Sequence, residues 1–324
     1  MIRNSYCRVT VGGNEVSILD AEVSEGFRQT TSRCSFSVSD ITGLNLNQLV
    51  TIEMGYAGDH AQIFQGYVDE IVETRMPGTY QLEGRDILKR AIEHFLVSED
   101  IYSPWARADI PAECLVQELL LECGITGYSG AGTDYTFGVN NNPAEFNLMS
   151  VWDAIKQICN IIAYNCWAEN GTVYFDRVFP VPSGIPVATL NVGDVGSIIS
   201  INYTYNTDNL RNKVVVFGKS PIYAEAHEES PYLPAGFYKT AIVSSELIGS
   251  QSMADDSAKY NLELYNKLTE TLSVEIEGNH NIRCRDTVRV TEPFTGMSAA
   301  DWFVFAVSHR FDAQGYKTSL NLSR

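Results

Sequence analysis

The chain has 324 residues, 44% hydrophobic and 11% aromatic, with a formal net charge of −17. That apolar content suffices for about two or three cored domains, and the aromatic share favours β-structure. The acidic balance argues against a duplex-DNA reader, which needs clustered Lys and Arg to neutralise phosphates.

Seven cysteines are scattered without a CxxC pair. This speaks against a disulfide framework or zinc knuckle and for folding in a reducing cytoplasm. The N-terminus Met1-Ile2-Arg3-Asn4-Ser5 lacks a hydrophobic signal core. No apolar run reaches the roughly 18 residues of a membrane span, so a soluble, non-secreted chain is expected.

In chain order, residues 1–95 read as β with a short closing helix. Val9-Thr10-Val11 and Glu15-Val16-Ser17-Ile18 flank Gly12-Gly13-Asn14, which is hairpin chemistry. Cys34 to Ser39 alternates strictly, and Ile52 and Met54 alternate with Thr51 and Glu53, which predicts a sheet with one wet face. Ile87, Leu88, Ala91, Ile92 and Phe95 mark a short amphipathic helix.

Residues 96–185 have an α+β character. A helix is predicted after Pro111, with Leu115, Val116, Leu119, Leu120 and Cys123 inward and Gly124 as its stop. Gly127 to Pro143 reads as loop. Ser150 caps a third helix, with Asp153 in the capping-box position. Asn170-Gly171 then turns a hairpin between Cys166-Trp167-Ala168 and Thr172-Val173-Tyr174-Phe175. Pro180, Pro182, Gly184 and Pro186 form a linker.

Residues 186–324 return to β patterning, with strands at 197–203 and 213–218 and an insertion at about 219–271. Within that insertion 219–249 is an irregular excursion, and a helix runs from Ser252 through Leu268. The end of the chain repeats an earlier grammar. Leu49–Met54, Ile63–Ile71 and Tyr80–Leu82 match Thr287–Thr291, Trp302–Phe311 and Tyr316–Leu322 in order and spacing, with few identities. Two such units in one chain would let three copies imitate six.

Catalytic and metal constellations are weak. His227-Glu228-Glu229 starts like a zinc-protease helix, but Pro231 stands where the second His would be needed. Gly127 to Gly132 lacks the lysine of a phosphate loop and the spacing of a nucleophile elbow, so no cofactor is expected. Asp69 and Glu70 are strand neighbours and point to opposite faces. Asp255-Asp256 suits the first turn of a helix. Cys114, Cys123, Cys159 and Cys166 fall on or near apolar helix faces, where thiols are inert. His94 and His309 are explained by ordinary hydrogen bonding. A non-enzymatic chain is expected.

Taken together these features resemble the late control protein D and baseplate hub family of contractile phages and phage-like bacteriocins (tailocins). The carriers are Ile52 with Phe64-Gln65-Gly66-Tyr67-Val68, then Gly84-Arg85-Asp86-Ile87-Leu88, and the helix–hairpin from Ser150 to Phe175. At the far end they are Ile276-Glu277-Gly278-Asn279 and Val304 to His309 closing on Tyr316 to Leu320. Two departures are Arg285-Asp286, where a Gly-Asp turn belongs, and the excursion 219–249.

The resemblance implies an α+β, mainly β chain with two tail-tube-like β-barrels, 1–95 and 186–324, around an α+β insert at 96–185. It implies a homotrimeric, pseudo-sixfold hub between a hexameric tail tube protein and a trimeric spike protein, passing a tape measure protein. It places the chain in the baseplate of a virion tail or tail-like particle, assembled in the bacterial cytoplasm, without sequence-specific nucleic-acid binding or membrane insertion. With the sequence ending at Arg324, directly after the last expected strand, no appended hydrolase is expected. Thr51, Glu53, Arg289 and Thr291 are expected to face the lumen or a neighbouring subunit. The competing readings are a cell-wall hydrolase, which a zymogram would reveal, and a receptor-binding tail-tip module, which would bind whole cells.

Overall fold

The computed structural model describes residues 4–27, 29–73, 78–97, 105–139, 143–191, 198–266, 269–292 and 297–324. The N-terminal part contains β1 (Ser5–Val11), β2 (Asn14–Val16), β3 (Ile18–Gly26), β4 (Arg33–Val38), β5 (Leu49–Tyr56), β6 (Asp59–Glu73) and β7 (Tyr80–Asp86). Alternation builds them: Val50, Ile52 and Met54 are fully buried, while Thr51 and Glu53 between them are half-buried. Gly12 and Gly13 both take positive φ, 59° and 83°, as the two-residue β1–β2 turn requires.

The middle part contains α1 (Lys89–Glu93), β8 (Phe95–Leu96), β9 (Trp105–Arg107), β10 (Ile110–Pro111) and α2 (Ala112–Glu122). It continues with β11 (Tyr128–Gly130), β12 (Thr136–Phe137), β13 (Ala144–Phe146), β14 (Met149–Ser150), α3 (Val151–Ile162), β15 (Asn165–Glu169) and β16 (Thr172–Asp176). Pro111 precedes α2, and Gly124 at φ 72° lies just past its end. Ser150 Oγ accepts the Asp153 N–H at 3.0 Å, so the predicted cap of α3 forms. Two expectations fail here. Phe95 leaves α1 and is exposed in β8, because α1 ends after a single turn. Tyr128–Gly130 is a strand parallel to β16 rather than loop; its Gly-rich composition conceals a backbone pairing supplied from far along the chain.

The C-terminal part contains β17 (Ala188–Asn191), β18 (Ile198–Asn206), β19 (Lys213–Phe217), β20 (Tyr223–His227), β21 (Thr240–Ser244) and α4 (Gln251–Tyr265). Last come β22 (Thr269–Glu277), β23 (Thr287–Glu292), β24 (Met297–Asp312) and β25 (Gly315–Ser323). The strand expected at 213–218 forms as β19. Its partners, however, are β20 (antiparallel) and β21 (parallel), in a separate three-stranded sheet. Val214 and Val216 join Met253 and Ala254 of α4 in one core with α2 and α3. Burial against those helices, which no local pattern encodes, recruits this strand. Since α4 begins at Gln251, Asp255 and Asp256 fall past its first turn, and Asp255 accepts instead from Gln251 Nε2 at 2.9 Å. Leu268, its expected end, lies outside the described residues.

Thirteen strands form one sheet in the order β18-β22-β25-β24-β3-β4-β7-β6-β5-β1-β2, with β23 beside β24 and β17 beside β23. Among the described residues this sheet does not close on itself. It covers two separate cores, one around Phe36, Ile52, Met54 and Leu82, the other around Val274, Trp302, Val304 and Leu320. The junction is β24 against β3, where Val307 faces Glu25 and His309 faces Val23.

The two halves pair their strands in matching register. Leu49↔Tyr67, Val50↔Gly66, Thr51↔Gln65 and Ile52↔Phe64 correspond to Thr287↔Phe303, Val288↔Trp302, Arg289↔Asp301 and Val290↔Ala300. A register shift follows Ile52 in one half and Val290 in the other. Val68↔Gly84 and Ile71↔Leu82 correspond to Val304↔Leu322 and Val307↔Leu320, again with a shift between them in both. β3 on β4 and β18 on β22 both shift register near their starts, between Ile18 and Asp20 and between Ile198 and Ser200. The turn where Gly-Asp was expected is matched too. Asn47 and Arg285 both hold positive φ, 62° and 78°, and their N–H groups donate to Val68 and Val304 carbonyls at 2.8 Å. Arg285 therefore accepts a conformation that glycine would adopt without strain. The flanks differ: β1 runs antiparallel to β5, whereas β17 runs parallel to β23.

Candidate assembly surface

The four residues singled out in the sequence lie on the sheet face turned away from both cores. Thr51 Oγ1 shares a 2.5 Å hydrogen bond with Thr10 Oγ1 on β1. Glu53 lies 3.6 Å from His60 Nδ1. Arg289 makes a bidentate pair with Asp301, at 2.6 and 3.0 Å, and its hydrogen bonds hold that carboxyl below the usual range. Thr291 is half-buried opposite Asn191 of β17. Thr51 and Arg289 occupy matching register positions, as the pairs Thr51↔Gln65 and Arg289↔Asp301 record. The same outward face carries Lys317–Glu275 at 3.4 Å and Ser308 Oγ donating to Glu22 at 2.8 Å. Partly solvated pairs of this kind add little stability, and they give the outward face a mixed charge.

Beneath the junction lies a polar clamp that sequence reasoning missed. Arg283 Nη1 donates to Glu25 Oε1 at 3.1 Å and to the Ile63 carbonyl at 2.7 Å, and Nη2 donates to the Gln62 carbonyl at 2.6 Å. One guanidinium thus ties β3 and β6 to the turn before β23. Burial pushes the Glu25 carboxyl up, against the lowering charge of Arg283. Nearby Asp86 accepts N–H bonds from Ser32 and Leu88, yet its burial raises it to about 7. No sequence signal links Glu25 to Arg283, because the pair joins opposite ends of the chain.

Cys159 and Cys166 are buried, whereas Cys114 is exposed, contrary to the apolar helix face expected for it. The helix presents that side to solvent because Leu115 and Val116 already fill its inward stripe. Burial raises the Cys7, Cys159 and Cys284 thiols to about 12, which leaves them protonated. Asp69 bonds Arg85 and Lys89; burial opposes its ionisation, but those hydrogen bonds prevail and lower it. His227 stands on β20, not on a helix, with its ring 5.2 Å from that of Tyr238. Among the described residues no three His, Cys, Asp or Glu side chains converge as metal ligands.

His309 is fully buried in β24. Its Nε2 lies 3.2 Å from the Ile282 carbonyl and therefore carries the proton, so Nδ1 accepts from Tyr316 Oη at 2.8 Å. Burial, reinforced by the Arg283 charge, lowers it to about 3. The unfolded chain thus gains a proton near pH 6.5 that the folded chain refuses. Stability from this group falls as pH drops from about 6.5 to about 3, by up to ~1.4 kcal/mol per pH unit. Asp86, raised rather than lowered, acts in the opposite sense and favours the fold more at pH 4 than at pH 8. Urea denaturation of wild type and His309→Gln at pH 7 and pH 5 isolates the histidine. The gap between them should narrow at pH 5, and parallel curves would refute a neutral buried His309.

No family model and no curated protein matches the chain. Solved structures do. The tail protein from Neisseria meningitidis aligns with a TM-score of 0.72 at 16% identity, over 99% of this chain and 97% of its own. The 43 kDa tail protein of prophage MuSo2 from Shewanella oneidensis aligns at 0.71 and 12%, over 98% of both chains. An E. coli component of the type VI secretion system, described as similar to bacteriophage T4 tail proteins, aligns at 0.61 and 8%, over 97% of this chain and 76% of its own. The chain has the mainly β fold of phage tail proteins, and the resemblance read from its residues holds at that level.

Proposed function

We propose that the chain is the structural hub of a contractile phage tail or tail-like particle. Three copies form a ring with approximate sixfold symmetry that joins a hexameric tail tube to a trimeric spike. The observation that carries this reading is the matched register of the two halves, bulges included, in a chain with the fold of tail proteins. In this reading 1–95 and 186–324 act as two tube-like barrel units around the insert at 96–185, the excursion packing with the insert. A tube of six subunits meets six similar surfaces, while the unlike flanks (β1 antiparallel, β17 parallel) and the insert repeat only threefold.

Thr51, Glu53, Arg289 and Thr291 then line the lumen or contact a neighbour. The acidic net charge discourages DNA or an extended tape measure protein from sticking as it passes. Solution mass tests the proposal: three chains are expected, alone or on mixing with the spike protein. A strict monomer in both conditions would refute it.

A further inference from the structure

The β24–β3 junction is a template for a second junction that one chain leaves unmade. Phe303 of β24 pairs with β23 on one edge and β25 on the other. Ala306 to Phe311 then pair with β25 and, on the edge vacated by β23, with β3. In the first half Tyr67 of β6 likewise pairs with β5 and β7, and Glu70 to Glu73 continue along β7. Their other edge, however, has no strand beside it among the described residues. The strand matching β3 in the second half is β18, at the end of the sheet, and its outer edge is also uncovered among the described residues.

Burial measures the difference. Val23 and Glu25, inside the junction, are 0% and 7% exposed; their register counterparts Tyr203 and Tyr205 are 45% and 54% exposed. His309 and Val307 are 0% and 2% exposed, against an exposed Glu73 and a half-buried Ile71. A strand carrying Tyr-Thr-Tyr with no charge is suited to pairing, and natural monomers blunt such edges. The β6 edge instead carries Glu70 and Glu73, which repel a second β6 edge but meet no like charge on Tyr203 to Asn206.

We propose that β18 of one chain adds to the free edge of β6 in a second copy, reproducing the β24–β3 register. Glu70 then faces Asn206, Ile71 faces Tyr205, Val72 faces Thr204 and Glu73 faces Tyr203, as Ala306, Val307, Ser308 and His309 face Gly26, Glu25, Ser24 and Val23. The Thr207 N–H would reach the Asp69 carbonyl as that of Phe27 reaches Phe305 at 2.8 Å. The contact is head-to-tail, so each chain offers one edge to each neighbour and the sheet continues around the assembly. This deepens the hub reading and rests on it for closure at three.

The test uses the full chain carrying Cys114→Ser, Val72→Cys and Thr204→Cys, with mass measured before mild oxidation. Both new cysteines replace exposed residues. Disulfide-linked ladders ending at three chains are expected. They should form roughly tenfold faster than with Val72→Cys and Asn202→Cys, whose Cα atoms would lie beyond bridging distance. A trimer by mass that does not cross-link above that control overturns the interface and leaves the hub reading standing. Cross-linking by Thr204→Cys alone would show β18 pairing with itself and overturn the register. A strict monomer, with and without spike protein, overturns both.

Discussion

Trp302→Ala should cost about 3–5 kcal/mol of folding stability, the range for deleting a large buried aromatic. Trp302 is the largest fully buried side chain of the protein and stands at the centre of the second core. The Arg324 guanidinium lies 5.0 Å from its ring centroid, so truncation also removes a cation–π contact. The matching position in the first half is Gly66, where an added Cβ would sit 2.2 Å from the Arg85 carbonyl. One half fills this place with backbone and the other with an indole. The same strand pairing thus tolerates opposite side-chain solutions, and neither half can adopt the other's residue without rearranging. Urea denaturation measures the loss, and a cost below about 1 kcal/mol would place the ring outside a packed core.

That exchange explains why the sequence disclosed some levels and hid others. Alternation at Val50-Thr51-Ile52-Glu53 and at Val288-Arg289-Val290-Thr291 was legible because a strand with one wet face forces period two. Turns and caps at Gly12-Gly13, Asn170-Gly171 and Ser150 were legible because few residues satisfy those backbone geometries. The strand order of the repeat was visible, but its bulges and register were not, since Gly66 and Trp302 or Gly84 and Leu322 share no chemistry. Long-range choices were hidden as well. Nothing local tells β19 to join α4 rather than the large sheet, or gives Tyr128–Gly130 its parallel partner. Of the candidate surface, the polar positions were readable from alternation. The clamp and the open edges were not, because both depend on which strands become neighbours.

The clamp sets the second large expectation. Arg283→Met should destabilise the fold by about 3–5 kcal/mol near neutral pH, because it strands a buried carboxylate. It also removes the donor to the Gln62 and Ile63 carbonyls. Glu25 has one escape, which is to take up a proton. Burial already raises its carboxyl against the pull of Arg283, and without that cation it rises further. A carboxyl raised in the folded state contributes stability below its unfolded value of roughly 4, and loses it as pH climbs through the folded value. The deficit of Arg283→Met should therefore be widest at pH 7.5 and narrow towards pH 5. Arg283→Met with Glu25→Gln should recover much of the loss and flatten the pH dependence, since no charge is left orphaned. Because Glu25 pairs with Val307 at the junction, hydrogen exchange along 306–311 and 21–26 should rise in the single variant before exchange in the rest of either core does. A deficit independent of pH, or exchange confined to the second core, would mean that Arg283 acts through packing, and that the charge on Glu25 plays no part in holding the two halves together.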